Sequence, residues 1–177
     1  MLKINFLFIF FIASVGIIQP QSVSLGTGIG PNVLIFDGGF ETGINLYLTG
    51  NFSPGKIIEI EFRPGITVNA DFIGFEFGSY LKIFPFKPSV YFIGGLKLHW
   101  NAEQNRTGKG TRGGLFKLPA IGIGYKTKYH KTFLTFDLVY QKPYPDGLHY
   151  YYIENEYHYS TDFNAVISLN IGFSWQL

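Results

Sequence analysis

The chain has no cysteine, which removes disulfide frameworks and thiolate metal sites from consideration. It is also poor in charge. Asp, Glu, Lys and Arg make up 15% of the 177 residues, with 14 cations against 12 acids and a formal net charge of +2. So even a balance gives no argument for a nucleic-acid partner. Beyond residue 18 no apolar run approaches the ~20 residues of a membrane helix. If the later chain is embedded in lipid it must be a closed barrel, because only helices and barrels satisfy every backbone group there. Aromatic residues and glycine are plentiful, at 19 Phe, 12 Tyr and 22 Gly. The length predicts one domain with ample chain to bury a core.

Residues 1–18, MLKINFLFIFFIASVGII, carry one Lys and then an almost unbroken apolar run ahead of Gln19, Pro20, Gln21 and Ser22. This is the layout of a secretory signal peptide. The predicted division is 1–21 as leader and 22–177 as the mature domain. Ser14 and Gly16 offer small residues at the cleavage spacing, and a cut near Gln21 or Ser22 fits the polar break equally well. An uncleaved anchor is the competing reading, and it usually needs about 20 apolar residues.

The closing stretch sets the period for the rest. Phe163, Ala165, Ile167, Leu169, Ile171, Phe173, Trp175 and Leu177 are apolar, while the residues between them, Val166 excepted, are small or polar. Only a β-strand has this period of two. The same alternation predicts eight strands, at 22–29, 40–52, 57–68, 72–84, 89–100, 115–127, 132–141 and 163–177, with a bulge or bend at Pro64-Gly65. Connections at 53–56, 69–71, 85–88 and 128–131 are short. Those at 30–39, 101–114 and 142–162 are long. Aromatics on the apolar faces fall near strand ends at Phe40, Phe52, Trp100, Tyr125, Tyr140 and Trp175, where they would form interfacial girdles.

Leader, eight alternating strands, short turns opposite longer loops and an aromatic-rich closing strand together resemble the small OmpA/OmpX/OmpW-like outer-membrane β-barrel domains. The resemblance covers essentially the whole mature chain. It implies an all-β, eight-stranded antiparallel up-and-down transmembrane barrel in a bacterial outer membrane. Lipid and lipopolysaccharide would be its partners, with no cofactor and no nucleic acid. Such closing strands typically end on an aromatic residue, whereas this one ends Trp175-Gln176-Leu177.

Charged residues recur on the polar faces: Glu41, Glu59, Glu61, Arg63, Glu76, Lys82, Lys97, His99 and Asp137. An eight-stranded barrel is only wide enough inside for side chains, so these are expected to meet near the axis. Charges of both signs predict a paired network that plugs the lumen; a narrow solute path is the competing reading. The 142–162 segment is rich in tyrosine and histidine, with Tyr144, His149, Tyr150, Tyr151, Tyr152 and Tyr157. Tyrosine offers large amphipathic area at low entropy cost. This segment is therefore either a surface for a cell-surface ligand or a hairpin extending the last two strands. Arg106, Lys109 and Arg112 could meet lipopolysaccharide phosphates.

His158-Tyr159-Ser160 resembles the His-x-Ser motif of the lipid A deacylase family, which are barrels of eight strands, and implies a hydrolase as the alternative function. That family has Asn directly after the Ser, where this chain has Thr161, and a Glu further on, where this chain has no carboxylate after Asp162. No catalytic or metal site is assigned; His149, His158, Glu154 and Glu156 match no established ligand spacing. A second alternative is a soluble secreted barrel with an apolar ligand inside.

Overall fold

The structure is a computed structural model. It describes residues 22–69, 73–85, 89–102, 104–106, 109–111, 114–144, 149–154 and 157–177, with side chains described outside 103–113 and 145–162. The strands are β1 (Ser22–Phe36), β2 (Gly39–Ser53), β3 (Ile58–Val68), β4 (Gly74–Ile83), β5 (Val90–Asn101), β6 (Gln104–Arg106), β7 (Lys109–Thr111), β8 (Gly114–Tyr129), β9 (Thr132–Gln141), β10 (His149–Glu154) and β11 (Tyr157–Gln176). Eight of them, β1-β2-β3-β4-β5-β8-β9-β11, form an antiparallel barrel that closes where β11 returns to pair with β1. The remaining three continue from β11 as a ledge in the order β10-β7-β6. Closure leaves the barrel without a free edge.

Alternation decides which side chains face out. Phe40 and Phe75 are each 72% exposed, Ile121 67% and Leu48 62%, while Glu61 and Asp137 are at most 2% exposed. A soluble protein does not present an apolar wall of this extent. The enclosed-ligand reading, which needs the greasy faces inside, is thereby overturned. Ten residues at a rise of ~3.3 Å and a tilt of ~40° span about 25 Å, the height of a barrel's lipid-facing band. Phe40, Trp100, Tyr125, Tyr140 and Trp175 all point outward near strand ends.

Several details depart from the sequence expectation. Residues 30–36 belong to β1 rather than to a long loop, and Asp37-Gly38 makes the turn. Asp-Gly is a strong hairpin signal. Pro31 sits inside the strand because its pairing to β11 is skipped, from Ile29↔Ile171 to Asn32↔Ser168, whereas β2 still pairs there through Ile44. A proline that cannot donate is tolerated where no ladder bond is needed. The expected 101–114 and 142–162 loops contain β6, β7, β10 and the start of β11. At Pro64-Gly65 there is no bulge, since Tyr47↔Gly65 and Gly50↔Phe62 keep one register.

The irregularity lies instead in β11. Its register against β1 shifts between Ile35↔Ala165 and Phe36↔Phe163, so Asn164 is exposed and Phe163 turns inward. At the tight β8–β9 turn His130 adopts φ 54°, the left-handed conformation that His tolerates better than most side chains.

Candidate functional site

Three tyrosines organise the lumen. Tyr47 faces Gly28 across β1–β2, Tyr91 faces Gly124 across β5–β8, and Tyr80 faces Gly95 across β4–β5. A Cβ at Gly28 or Gly124 would collide with the facing ring, one at Gly95 would first meet the Ser79 carbonyl, and the Tyr80 ring itself lies over Gly78. The absence of a side chain lets the Tyr47 and Tyr91 rings lie across the neighbouring strand and the Tyr80 ring lie back along its own, filling the barrel interior. The Arg63 guanidinium then sits 4.6 Å from the Tyr47 ring centre and 5.0 Å from that of Tyr80, and Lys82 Nζ lies 4.7 Å from Tyr91. Cations over ring faces are attracted most where they are desolvated.

Around these rings runs a continuous chain of ion pairs. Lys126 bonds Glu59, Lys82 Nζ lies 3.6 Å from Glu59 and donates to Glu61 Oε2 at 2.7 Å, and Arg63 Nε donates to Glu61 Oε1 at 2.7 Å. Arg63 Nη2 donates to Asp137 Oδ2 at 2.6 Å, and the Tyr91 hydroxyl donates to the other Asp137 oxygen. A second group stands further along the axis. Lys97 Nζ donates to Glu76 Oε1 at 2.7 Å, and His99 Nδ1 lies 3.1 Å from the same oxygen. Each buried charge thus meets an opposite charge, as burial in a low dielectric demands.

Eight of the nine residues assigned from sequence to this network, Glu59, Glu61, Arg63, Glu76, Lys82, Lys97, His99 and Asp137, enter these two groups. Glu41 lies at another level of the barrel, opposite Leu34 near the long-loop end. Tyr47, Tyr80, Tyr91 and Lys126 belong to the site and were not assigned to it from sequence. The signal for the tyrosines was an inward ring opposite a glycine, which needs the register.

The two ends of the lumen differ. Towards the long-loop end Leu34, Phe116, Leu118, Phe163 and Val166 form a buried apolar layer, with Phe36 packed against it. Phe116 meets Phe163 edge-on at 6.0 Å, and Phe36 lies 5.4 Å from Phe163. Between the two ion-pair groups, Asn45, Tyr47, Arg63, Glu76, Tyr80, Lys97, Gln141 and Asn170 enclose about 10 Å³ of free space. That is room for about one water. At the short-turn end a pocket of about 580 Å³ opens outward.

Tyr144 is exposed on the outer wall and bridges to Lys117 through the backbone. The side chains of His149, Tyr150, Tyr151, Tyr152, Tyr157, His158 and Ser160 lie outside the described residues, as do those of Arg106, Lys109 and Arg112 and all of residues 1–21, the expected leader. By backbone register His158 stands opposite Ile153 and Ser160 opposite Tyr151.

A closed eight-stranded antiparallel barrel with an apolar outer wall and a polar, side-chain-filled interior is the fold of the small outer-membrane β-barrel proteins. Comparison with protein-family models and with curated proteins gives no match. Among solved structures, Neisserial surface protein A aligns with 90% of this chain and 99% of its own, at a TM-score of 0.61 and 12% identity. The N-terminal β-barrel domain of Pseudomonas aeruginosa OprF covers 89% of this chain and 100% of its own, at 0.54 and 13%. The outer membrane protein OprG from Pseudomonas aeruginosa covers 90% and 97%, at 0.52 and 11%. At these identities the likeness is one of fold, and it is the fold that the strand pattern resembled.

Proposed function

We propose that the chain is a small barrel of the bacterial outer membrane whose lumen is a structural plug rather than a passage. The observation that carries this reading is the middle of the lumen, where a pocket among the ion-paired side chains has about 10 Å³ of free space. A hydrated ion needs more room than one water. The apolar layer at Phe116 and Phe163 adds a dry barrier towards the long loops. In planar bilayers the purified protein is expected to give no stepwise conductance at neutral pH. Steady ion-selective openings of the unaltered chain would overturn the plug.

Contact with lipopolysaccharide is supported by the outer wall. Lys117 and Lys142 are exposed at the long-loop rim beside Trp100, Tyr140 and Tyr144, a combination that suits lipid phosphates above an aromatic belt. A second role, recognition of a cell-surface ligand, is supported by the ledge, in which β10 pairs with β11 on one side and β7 on the other. It presents the tyrosine-rich stretch beyond the barrel rim. Deleting 149–156 is expected to leave the barrel folded and abolish such adhesion. The reading includes no catalytic step. Ser160→Ala is expected to leave the lipid A of expressing cells unchanged, and a change in its acylation would favour the hydrolase instead.

A further inference from the structure

In sequence the lysines gather around the short turns, at Lys56, Lys82, Lys87, Lys126, Lys128 and Lys131. The fold gives part of this pattern a destination. Lys82 is drawn into the buried network, whereas Lys56, Lys126 and Lys128 line the 580 Å³ pocket at the short-turn mouth. Glu59 is the acidic side chain of that lining, and it is already shared between Lys82 and Lys126. Lys128 Nζ donates to the neutral amide oxygen of Gln176 at 2.9 Å and lies 5.3 Å from the Phe133 ring. Lys126 lies over the same ring at 4.2 Å. The pocket therefore has a surplus of positive charge on aromatic walls.

It is also blind. Phe84, in the lining, packs at 5.0 Å on Tyr91, which belongs to the buried tyrosine and ion-pair layer behind it. A concave site of this volume, mostly apolar with a few convergent charges, has the dimensions of small-molecule sites, ~300–1,000 Å³. We infer that the short-turn mouth binds a small organic anion, a carboxylate or phosphate monoester with an apolar or aromatic body. The lysine ammonium groups hold the charged head, and Phe84 and Phe133 cover the body. An anion seated there would remain on the side from which it entered, because the lumen behind it is filled.

The test titrates the full detergent-solubilised barrel, with amide resonances as the readout. Phenyl phosphate is the probe, inorganic phosphate supplies the charge without the ring, and benzyl alcohol supplies the ring without the charge. Phenyl phosphate is expected to give saturable shifts confined to the mouth. Inorganic phosphate should bind more weakly, benzyl alcohol should not saturate, and Lys128→Gln should weaken the phenyl phosphate complex about tenfold. Heat-modifiable gel mobility verifies that the variant is folded. Lys56→Gln, at an exposed turn position, provides a second variant, expected to weaken binding severalfold. The inference is overturned if phenyl phosphate does not saturate, if benzyl alcohol binds as tightly, or if folded Lys128→Gln and Lys56→Gln both bind like the parent.

Discussion

Two kinds of chemistry fill the lumen at different levels. In the lower and middle part Glu59, Glu61, Arg63, Lys82 and Asp137 meet in directional pairs. At the long-loop end Leu34, Phe116, Leu118, Phe163 and Val166 pack together. A charged plug depends on every member, since removing one leaves its partners buried and unpaired. An apolar plug loses only the contacts and volume of the residue removed. The first is therefore brittle and the second graded, and substitutions can expose that difference.

The largest effect is expected at Arg63, which meets Glu61 and Asp137 together. Arg63→Ala should destabilise the barrel by about 4 kcal/mol in urea unfolding from lipid vesicles. Unchanged stability accompanied by a large gain in conductance would make Arg63 a gate and remove the brittle side of the contrast. Phe163→Ala should cost about 3 kcal/mol by leaving a cavity, without conductance, because the ion pairs still fill the axis. Openings in that variant would show that the apolar layer is the true barrier.

The contrast sharpens at Lys97. Lys97→Met leaves Glu76 with His99 and should cost about 2 kcal/mol, whereas adding Glu76→Gln should restore most of it, since both charges are then gone. A double variant as unstable as the sum of the singles would contradict the pairing. The smallest effects separate two tyrosines. Tyr91→Phe removes a hydroxyl bonded to the Asp137 carboxylate and should cost about 1.5 kcal/mol. Tyr47→Phe should be near neutral, since its hydroxyl has no hydrogen-bond partner among the described residues. Both rings would remain over their glycines, so equal effects would mean that ring packing alone matters.

How much of this was legible depends on the range of the signal. Strand existence and facing were readable from Ile167 to Trp175 because period two is written into adjacent residues. The same rule misplaced Phe163, since one extra residue at Asn164 reverses the facing of everything before it. Gly30-Pro31 and Asp37-Gly38-Gly39 looked like the two ends of one loop, yet only the second is a turn. Whether Pro31 breaks a strand depends on which neighbour would have received its missing donor. The charges of the network were legible as inward residues, but their pairing was not. Arg63 and Asp137 lie 74 positions apart in the chain.

By itself, then, the sequence determined that this chain alternates, that its apolar faces are too continuous for an aqueous surface, and that both signs of charge must share a narrow interior. Those are local properties, fixed by side-chain type and the pleat. Tertiary structure alone decided the register, and with it which glycine receives which tyrosine, which acid meets Arg63, and which lysines are left at the mouth. Closure of β11 onto β1 sets those neighbours at once. The physical reason is that a barrel has one consistent set of strand offsets, and no single strand contains that information.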